Sequence, residues 1–266
     1  MVPYALSRRR YFSPFAWGLL LVAVLASESG SHASDGASTA SPALQAFLER
    51  GPQPPLTSTA YRRLEAAAPR LKKSAWLDAR VVIDPARGLV YEVLAEEGSG
   101  FIRNRVLRAA LETESRAVTR SPTLASITTD NYAITDAGPD HEGLVRLRIV
   151  PKRSDQLLVD GFVIVAPETA EVVRIEGRMM KTPSFWITRV EVVRRYAVID
   201  GFNVPIELSS RAQMRFLGAS TFRMQYRYDS IAGTPVSAQP ALEDTPGVEP
   251  GQDAPEAGPA LPGETP

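Results

Sequence analysis

Two histidines are the only side chains in this chain that titrate unperturbed near neutral pH. His32 lies in the N-terminal leader. His141 sits in the polar stretch Gly138-Pro139-Asp140-His141-Glu142, where a solvated imidazole is expected rather than a general base. Asp155, Asp160 and Asp200 fall at strand ends and turns, positions that Asp favours because its side chain bonds nearby backbone. No G-x-S-x-G elbow, phosphate loop, H-E-x-x-H pair or dinucleotide fingerprint occurs. Cysteine is absent, which removes thiol nucleophiles, disulfides, zinc-thiolate sites and a lipid-modified cysteine. The expectation is a protein that is not an enzyme and that needs no metal or cofactor.

The residues that stand out chemically are soft and apolar. Met179, Met180, Phe185, Trp186, Phe202, Met214, Phe216, Phe222, Met224, Tyr226 and Tyr228 crowd the C-terminal half of the chain. Thioethers and broad rings fill ordinary cores, and they also adapt to apolar guests. From this set, with two positions of an amphipathic helix, the expected lining of an apolar cavity is Ile102, Val106, Met179, Trp186, Met214, Phe222, Met224 and Tyr226. A second group is cationic: Arg146, Arg148, Arg174 and Arg178 lie out of phase with the apolar residues of their strands and form a candidate docking face for an envelope protein. Arginines that merely solvate the outer side of a sheet give the same pattern. No nucleic-acid partner is expected.

The elements that hold these residues read mostly at period two. Val145, Leu147 and Ile149 face one way and Arg146 and Arg148 the other; Phe222, Met224, Tyr226 and Tyr228 oppose Arg223, Gln225 and Arg227. Strands are expected over 59–67, 76–83, 89–95, 126–135, 144–150, 157–166, 170–179, 185–196, 204–214 and 220–229. Asp84 to Gly88 reads as a hairpin turn, Asp200-Gly201 as another, and Asp160-Gly161 as a bulge inside a strand. Helical periodicity replaces this pattern twice. Ser41-Pro42 starts a short helix carrying Leu44, Phe47 and Leu48 and ended by Gly51 and Pro52. Residues 101–118, with Ser99 as candidate N-cap, form the one long helix, with Ile102, Val106, Ala109 and Ala110 on its apolar face. The fold class is therefore α+β and strand-dominated: a curved antiparallel unclosed β-barrel, a half-barrel, with one long and one short helix covering the concave face.

The ends of the chain set its expected location. Arg8, Arg9 and Arg10 precede a short apolar run from Phe15 to Ala26 and then small residues, the pattern of a secretory signal peptide over 1–33. Cleavage is expected after Ala33, with Ala26 as the alternative. The run is shorter than the roughly 20 residues a spanning helix needs. Residues 34–58 read as a flexible segment with the short helix, 59–233 as the folded domain, and 234–266 as a disordered tail with six acids, no Lys or Arg and frequent proline. An exported protein without cysteine points to a bacterial periplasm. A monomer is expected, with peripheral membrane contact open to it.

The motifs Pro151-Lys152-Arg153-Ser154-Asp155, Leu158-Val159-Asp160-Gly161, Arg174-Ile175-Glu176-Gly177-Arg178 and Lys181 to Trp186, followed by Tyr196 and Val204-Pro205, carry a resemblance. So do Glu97-Gly98-Ser99 and Asp130-Asn131-Tyr132. Together they resemble exported bacterial proteins grouped with the LolA/LolB-like outer-membrane lipoprotein-sorting superfamily. The resemblance covers roughly Thr59 to Gly233. It implies an unclosed antiparallel barrel with helices in its mouth and a cavity that receives acyl chains of lipids or lipoproteins. Lipoprotein carriers and periplasmic regulators of envelope stress share that fold. The expected function is thus a carrier or chaperone for acyl chains, and the alternative is a sensor or protein-interaction module without lipid transfer.

Overall fold

A computed structural model describes residues 41–51, 56–84, 87–120, 126–155, 157–182, 185–216 and 218–240. The expected leader and most of the acidic tail lie outside them. The short helix α1 (Pro42–Arg50) begins as expected, because the Ser41 hydroxyl accepts from the Leu44 N–H at 3.2 Å with proline in the first turn. Gly51, at φ 66°, ends it.

Ten strands then build one antiparallel sheet: β1 (Ser58–Ala68), β2 (Lys73–Asp84), β3 (Gly88–Gly98), β4 (Tyr132–Pro139), β5 (Val145–Pro151), β6 (Val159–Val165), β7 (Val172–Met179), β8 (Ile187–Ile199), β9 (Phe202–Met214) and β10 (Gly218–Ile231). Their order is β3-β2-β1-β10-β9-β8-β7-β6-β5-β4, and a two-residue β11 (Thr234–Pro235) pairs with β10. The sheet is open. Its edge strands β3 and β4 are consecutive in the chain, and the helical segment that follows β3 packs on the β1, β2 and β3 side.

One face of the sheet carries the core. On β1 the alternation puts Ala60, Leu64, Ala66 and Ala68 inside. The registers Leu64↔Met224, Met224↔Leu208, Leu208↔Arg194, Arg194↔Ile175, Ile175↔Val163 and Val163↔Leu147 carry that inner face across to β5. Two core clusters form on it. The larger lies under the long helix and contains Leu64, Leu77, Leu107, Leu111, Met224 and Tyr226. The smaller lies under α1 and contains Ala43, Leu44, Leu147, Ile149, Leu158 and Val163. Strand dominance, an unclosed antiparallel sheet and one long plus one short helix agree with the sequence reading.

The long helix is interrupted. It runs as α2 (Gly100–Ile102), a π turn (Arg103–Leu107) closed by the Arg108 N–H on the Arg103 carbonyl, and α3 (Arg108–Arg120). The extra residue of the π turn rotates the rest of the helix, so the face on the sheet is Ile102, Leu107 and Leu111, flanked by Val106 and Ala110, and not the regular 102-106-109-110 stripe. The same turn brings Arg103 and Arg108, five residues apart, onto one carboxylate, Glu96 of β3, at 2.9 and 2.7 Å. Ser99 occupies the N-cap position, but its side chain makes no capping bond.

Three further expectations change. The strand expected over 126–135 starts only at Tyr132, because buried Asn131 bonds locally: its amide donates to the Ser126 carbonyl at 2.8 Å and its N–H to that of Thr128 at 3.1 Å. Asp160-Gly161 is in register, and the irregularity of β6 lies at Ile164/Val165. Beyond the expected boundary at Gly233 the chain continues packed on the domain. Val236 touches the larger core, Ser237 bonds Asp200, and the Gln239 side chain bonds the Tyr228 backbone. Asp200-Gly201 forms the expected turn, with φ 47° and 84°, between β8 and β9.

Candidate functional site

The inner face is the candidate site, and the eight expected lining residues occupy it unequally. Ile102 and Val106 on the helix and Phe222, Met224 and Tyr226 on β10 come together in the larger cluster, where Met224 and Tyr226 are each only 2 % exposed. Those two therefore belong to the core shared with the long helix. Met179 and Met214 share the inner face by register but lie at its margin, half-buried at the ends of β7 and β9. Trp186 is elsewhere. It is 51 % exposed at the start of β8, with Phe185 and Phe216 at ring-centroid distances of 4.2 and 6.5 Å. Between the two helix-covered clusters the face carries half-buried Ile175, Val192, Leu208 and Ser210.

A polar group interrupts the apolar surface under the long helix. Arg62 stands on the inner side of β1 at 2 % exposure, between Ala60 and Leu64. Its Nη1 donates to Glu114 Oε2 of α3 at 2.5 Å and lies 3.8 Å from Met224 Sδ, and its guanidinium is 4.7 Å from the Tyr226 ring centre. Arg194, inward-facing on β8 and half-buried, lies 5.5 Å from the Tyr196 ring centre. Tyr226 and Tyr228 stack at 6.5 Å, and the Tyr228 hydroxyl donates to the Pro205 carbonyl at 2.9 Å. The Nε atoms of both Arg62 and Arg194 are buried and find no hydrogen-bond partner among the described residues.

The electrostatics favour cations and neutral phenols here. Burial works against the Arg62 cation, but Glu114 and then the Tyr226 phenol outweigh it and hold its pKa above the ordinary value. Tyr196 first, then Tyr226, Glu114 and Tyr228, raise Arg194 against the same burial. Burial foremost pushes the Tyr226 and Tyr228 phenols upward, so both stay protonated at neutral pH. Such a group can hold a negative charge. Arg62, Glu114 and Arg194 are absent from the sequence-based lining. A signal for them existed: Arg62 and Arg194 fall in phase with the apolar residues of their strands, where a surface arginine would fall out of phase.

The four arginines of the expected docking face do lie together on the outer side. Arg146 stacks on Phe162, 3.9 Å from its ring centre. Arg148 pairs with Asp160 and donates to the Gly161 carbonyl at 2.8 Å, and Arg178 reaches the same Asp160 at 3.5 Å. Arg174 pairs with Glu176, Glu142 and Asp140 at 3.1, 3.6 and 3.7 Å. A groove of about 480 Å³ runs past Arg148, Asp160, Phe162, Glu176 and Arg178. Its charges are thus already matched by acids of the same face.

The remaining candidates for catalysis have structural partners. The His141 side chain is 83 % exposed beside Glu142. Asp155 accepts from the Leu157 N–H, and Asp200 accepts from Ser237. Among the described residues no three His, Cys, Asp or Glu side chains gather as a metal site would require, and no helix is long and apolar enough to cross a membrane.

No protein family and no curated protein matches this sequence. Two solved structures are similar. One is a LolA superfamily protein from Nitrosomonas europaea, 12 % identical, covering 74 % of this chain and 94 % of its own, with a TM-score of 0.36. The other is a DUF1329 family protein from Desulfovibrio piger, 14 % identical, covering 65 % and 86 %, with a TM-score of 0.32. The first bears the superfamily name that the sequence motifs resemble. No residue role is carried from either to this chain.

Proposed function

We propose that this protein is a periplasmic carrier that shelters acyl chains of a lipid or lipoprotein on the inner face of its open sheet, without catalysis. The observation that carries this reading is the seam between the two core clusters. There Ile175 at the margin of the smaller cluster, Leu208 and Phe222 at the margin of the larger, and Val192 between them are apolar yet only half-buried, beside the inward-facing Arg194 and Ser210. Burying a methylene is worth about 0.8 kcal/mol, so a C16 chain offers on the order of 10 kcal/mol before ordering costs. The export signal read over 1–33 supports the periplasm as the place of action. The alternative, a protein-docking module using Arg146, Arg148, Arg174 and Arg178, is less favoured because the ion pairs of Arg148, Arg174 and Arg178 already satisfy much of that face.

The test is to express the chain with its leader, purify it without detergent, and compare native and denaturing mass spectra after organic extraction. A lipid retained near one per protein, and lost in folded Phe222→Asp, is the expected result. An empty protein that also fails to take up added C16 amphiphiles would overturn the carrier reading.

A further inference from the structure

The inner face carries two arginines, Arg62 buried and Arg194 half-buried. Arg62, Arg194 and Glu114 are the charged groups that meet there, together with the phenols of Tyr196, Tyr226 and Tyr228. Two cations face one carboxylate, and Glu114 is bonded to Arg62. Arg194 has no carboxylate of its own in this group, and the Nε of each arginine lacks a partner among the described residues. A buried guanidinium left short of partners is unfavourable, since burial removes water without returning hydrogen bonds.

The positions converge. Arg62↔Tyr226 across β1 and β10, and Leu208↔Arg194 across β9 and β8, put the two arginines on opposite sides of the β10 tyrosines. Arg194 aligns through Leu208 and Met224 with Leu64, two residues along β1 from Arg62, so three strand spacings of about 4.8 Å and an offset of about 6.7 Å put their backbones roughly 16 Å apart, within reach of two long side chains that lean toward each other. Guanidinium groups bind carboxylate and phosphate oxygens by short charge-assisted hydrogen bonds. Arg194 lies within the half-buried apolar seam, paired with Leu208 on one side and Ile175 on the other, with Val192 the next inward-facing residue of its own strand.

Resting on the carrier reading, the geometry points to an anionic head-group subsite: Arg194, with Arg62 and the neighbouring tyrosines, receives the carboxylate or phosphate of a single-chain amphiphile whose alkyl chain lies along the seam. The ligand class is then an acidic monoacyl lipid held head-inward. A neutral acyl chain of the same length gains the apolar contacts and not the head-group bonds.

The experiment compares full-chain protein binding to palmitate, lysophosphatidate with the same chain, and hexadecanol by titration calorimetry, in wild type and Arg194→Leu. At least about tenfold tighter binding of one or both acids than of hexadecanol is expected. Arg194→Leu should erase that preference while leaving hexadecanol affinity within twofold. Whichever acid binds more tightly identifies carboxylate or phosphate as the head. Equal affinity for acids and alcohol, or a preference that survives Arg194→Leu, overturns the subsite and leaves the carrier reading intact. Failure of all three ligands to bind wild type overturns both. Should Arg194→Leu not fold, Glu114→Gln decides: removing the competing carboxylate should tighten acid binding severalfold and not hexadecanol binding, and an unchanged acid affinity refutes the assignment.

Discussion

Gly161→Ala should disrupt the β5-to-β7 side of the sheet rather than merely perturb it. Gly161 on β6 faces Gly177 on β7, and a Cβ built at Gly161 would lie 2.0 Å from the Glu176 carbonyl oxygen, 2.6 Å from Gly177 Cα and 2.9 Å from the Glu176 carbonyl carbon. All three atoms are backbone, so no rotamer change relieves the contact. Reaching an ordinary separation of about 3.4 Å requires the two strands to part by roughly 1.4 Å, which stretches neighbouring ladder bonds beyond useful length. Two weakened bonds at about 1 kcal/mol each, plus overpacking of about 1–3 kcal/mol where Leu147, Ile149 and Val163 are fully buried beside them, give a loss of about 3–5 kcal/mol. Against a stability of about 5–15 kcal/mol, that is a large fraction. Urea unfolding followed by tryptophan fluorescence measures it. A loss below about 0.5 kcal/mol would refute the claim that this glycine pair sets the approach of β6 and β7.

Leu111→Ala removes a fully buried side chain from the helix face on the sheet and should cost about 3 kcal/mol by the same unfolding assay; a cost under about 1 kcal/mol would mean that the helix is not packed there. Asp160→Ala frees Arg148 and Arg178 on the outer face, but these groups reach solvent, so stability should fall by less than about 1 kcal/mol, and a loss above about 2 kcal/mol would show the outer ion pairs to be structural. Asp200 accepts from the Ser237 hydroxyl and N–H at 2.7 and 3.1 Å, and these bonds lower its pKa. A carboxylate with a lowered folded pKa contributes above its unfolded value, about 4, and loses that contribution as pH falls through the lower folded value. Exchange protection of the Ser237 amide should therefore decline below about pH 4 in wild type and lose this pH dependence in Asp200→Asn; an unchanged dependence would refute the link.

The sheet was legible because its strands alternate cleanly: Val145, Leu147 and Ile149 against Arg146 and Arg148, and Phe222 to Tyr228 against Arg223 to Arg227, end on the faces their parity assigns. Local polar chemistry was harder to read. Asn131 outcompetes the β-branched residues before it by bonding its own turn, and the π turn at Arg103–Leu107, which sets Arg103 and Arg108 on Glu96, is not encoded in helical periodicity. Site composition was legible only in part. Trp186 reads as a lining residue by type, but it lies at the start of β8, one residue ahead of the alternation that would aim it inward. Arg62 and Arg194 read as surface residues by type, although parity puts both inside.

That last discrepancy separates what holds the fold from what the inner face can select. Leu64, Leu77, Leu107 and Leu111 suffice to dock the helix, and an arginine among them adds desolvation that a methionine would avoid. Glu114 offsets that for Arg62 by a direct bond and for Arg194 only through its field. Methylene burial along Ile175, Val192 and Leu208 would favour any alkyl chain in either direction, because the hydrophobic effect is non-directional. A fixed guanidinium within that strip is directional: it distinguishes acid from alcohol and head from tail. The charged positions therefore lower the stability of the empty domain while supplying the selectivity that the apolar positions lack.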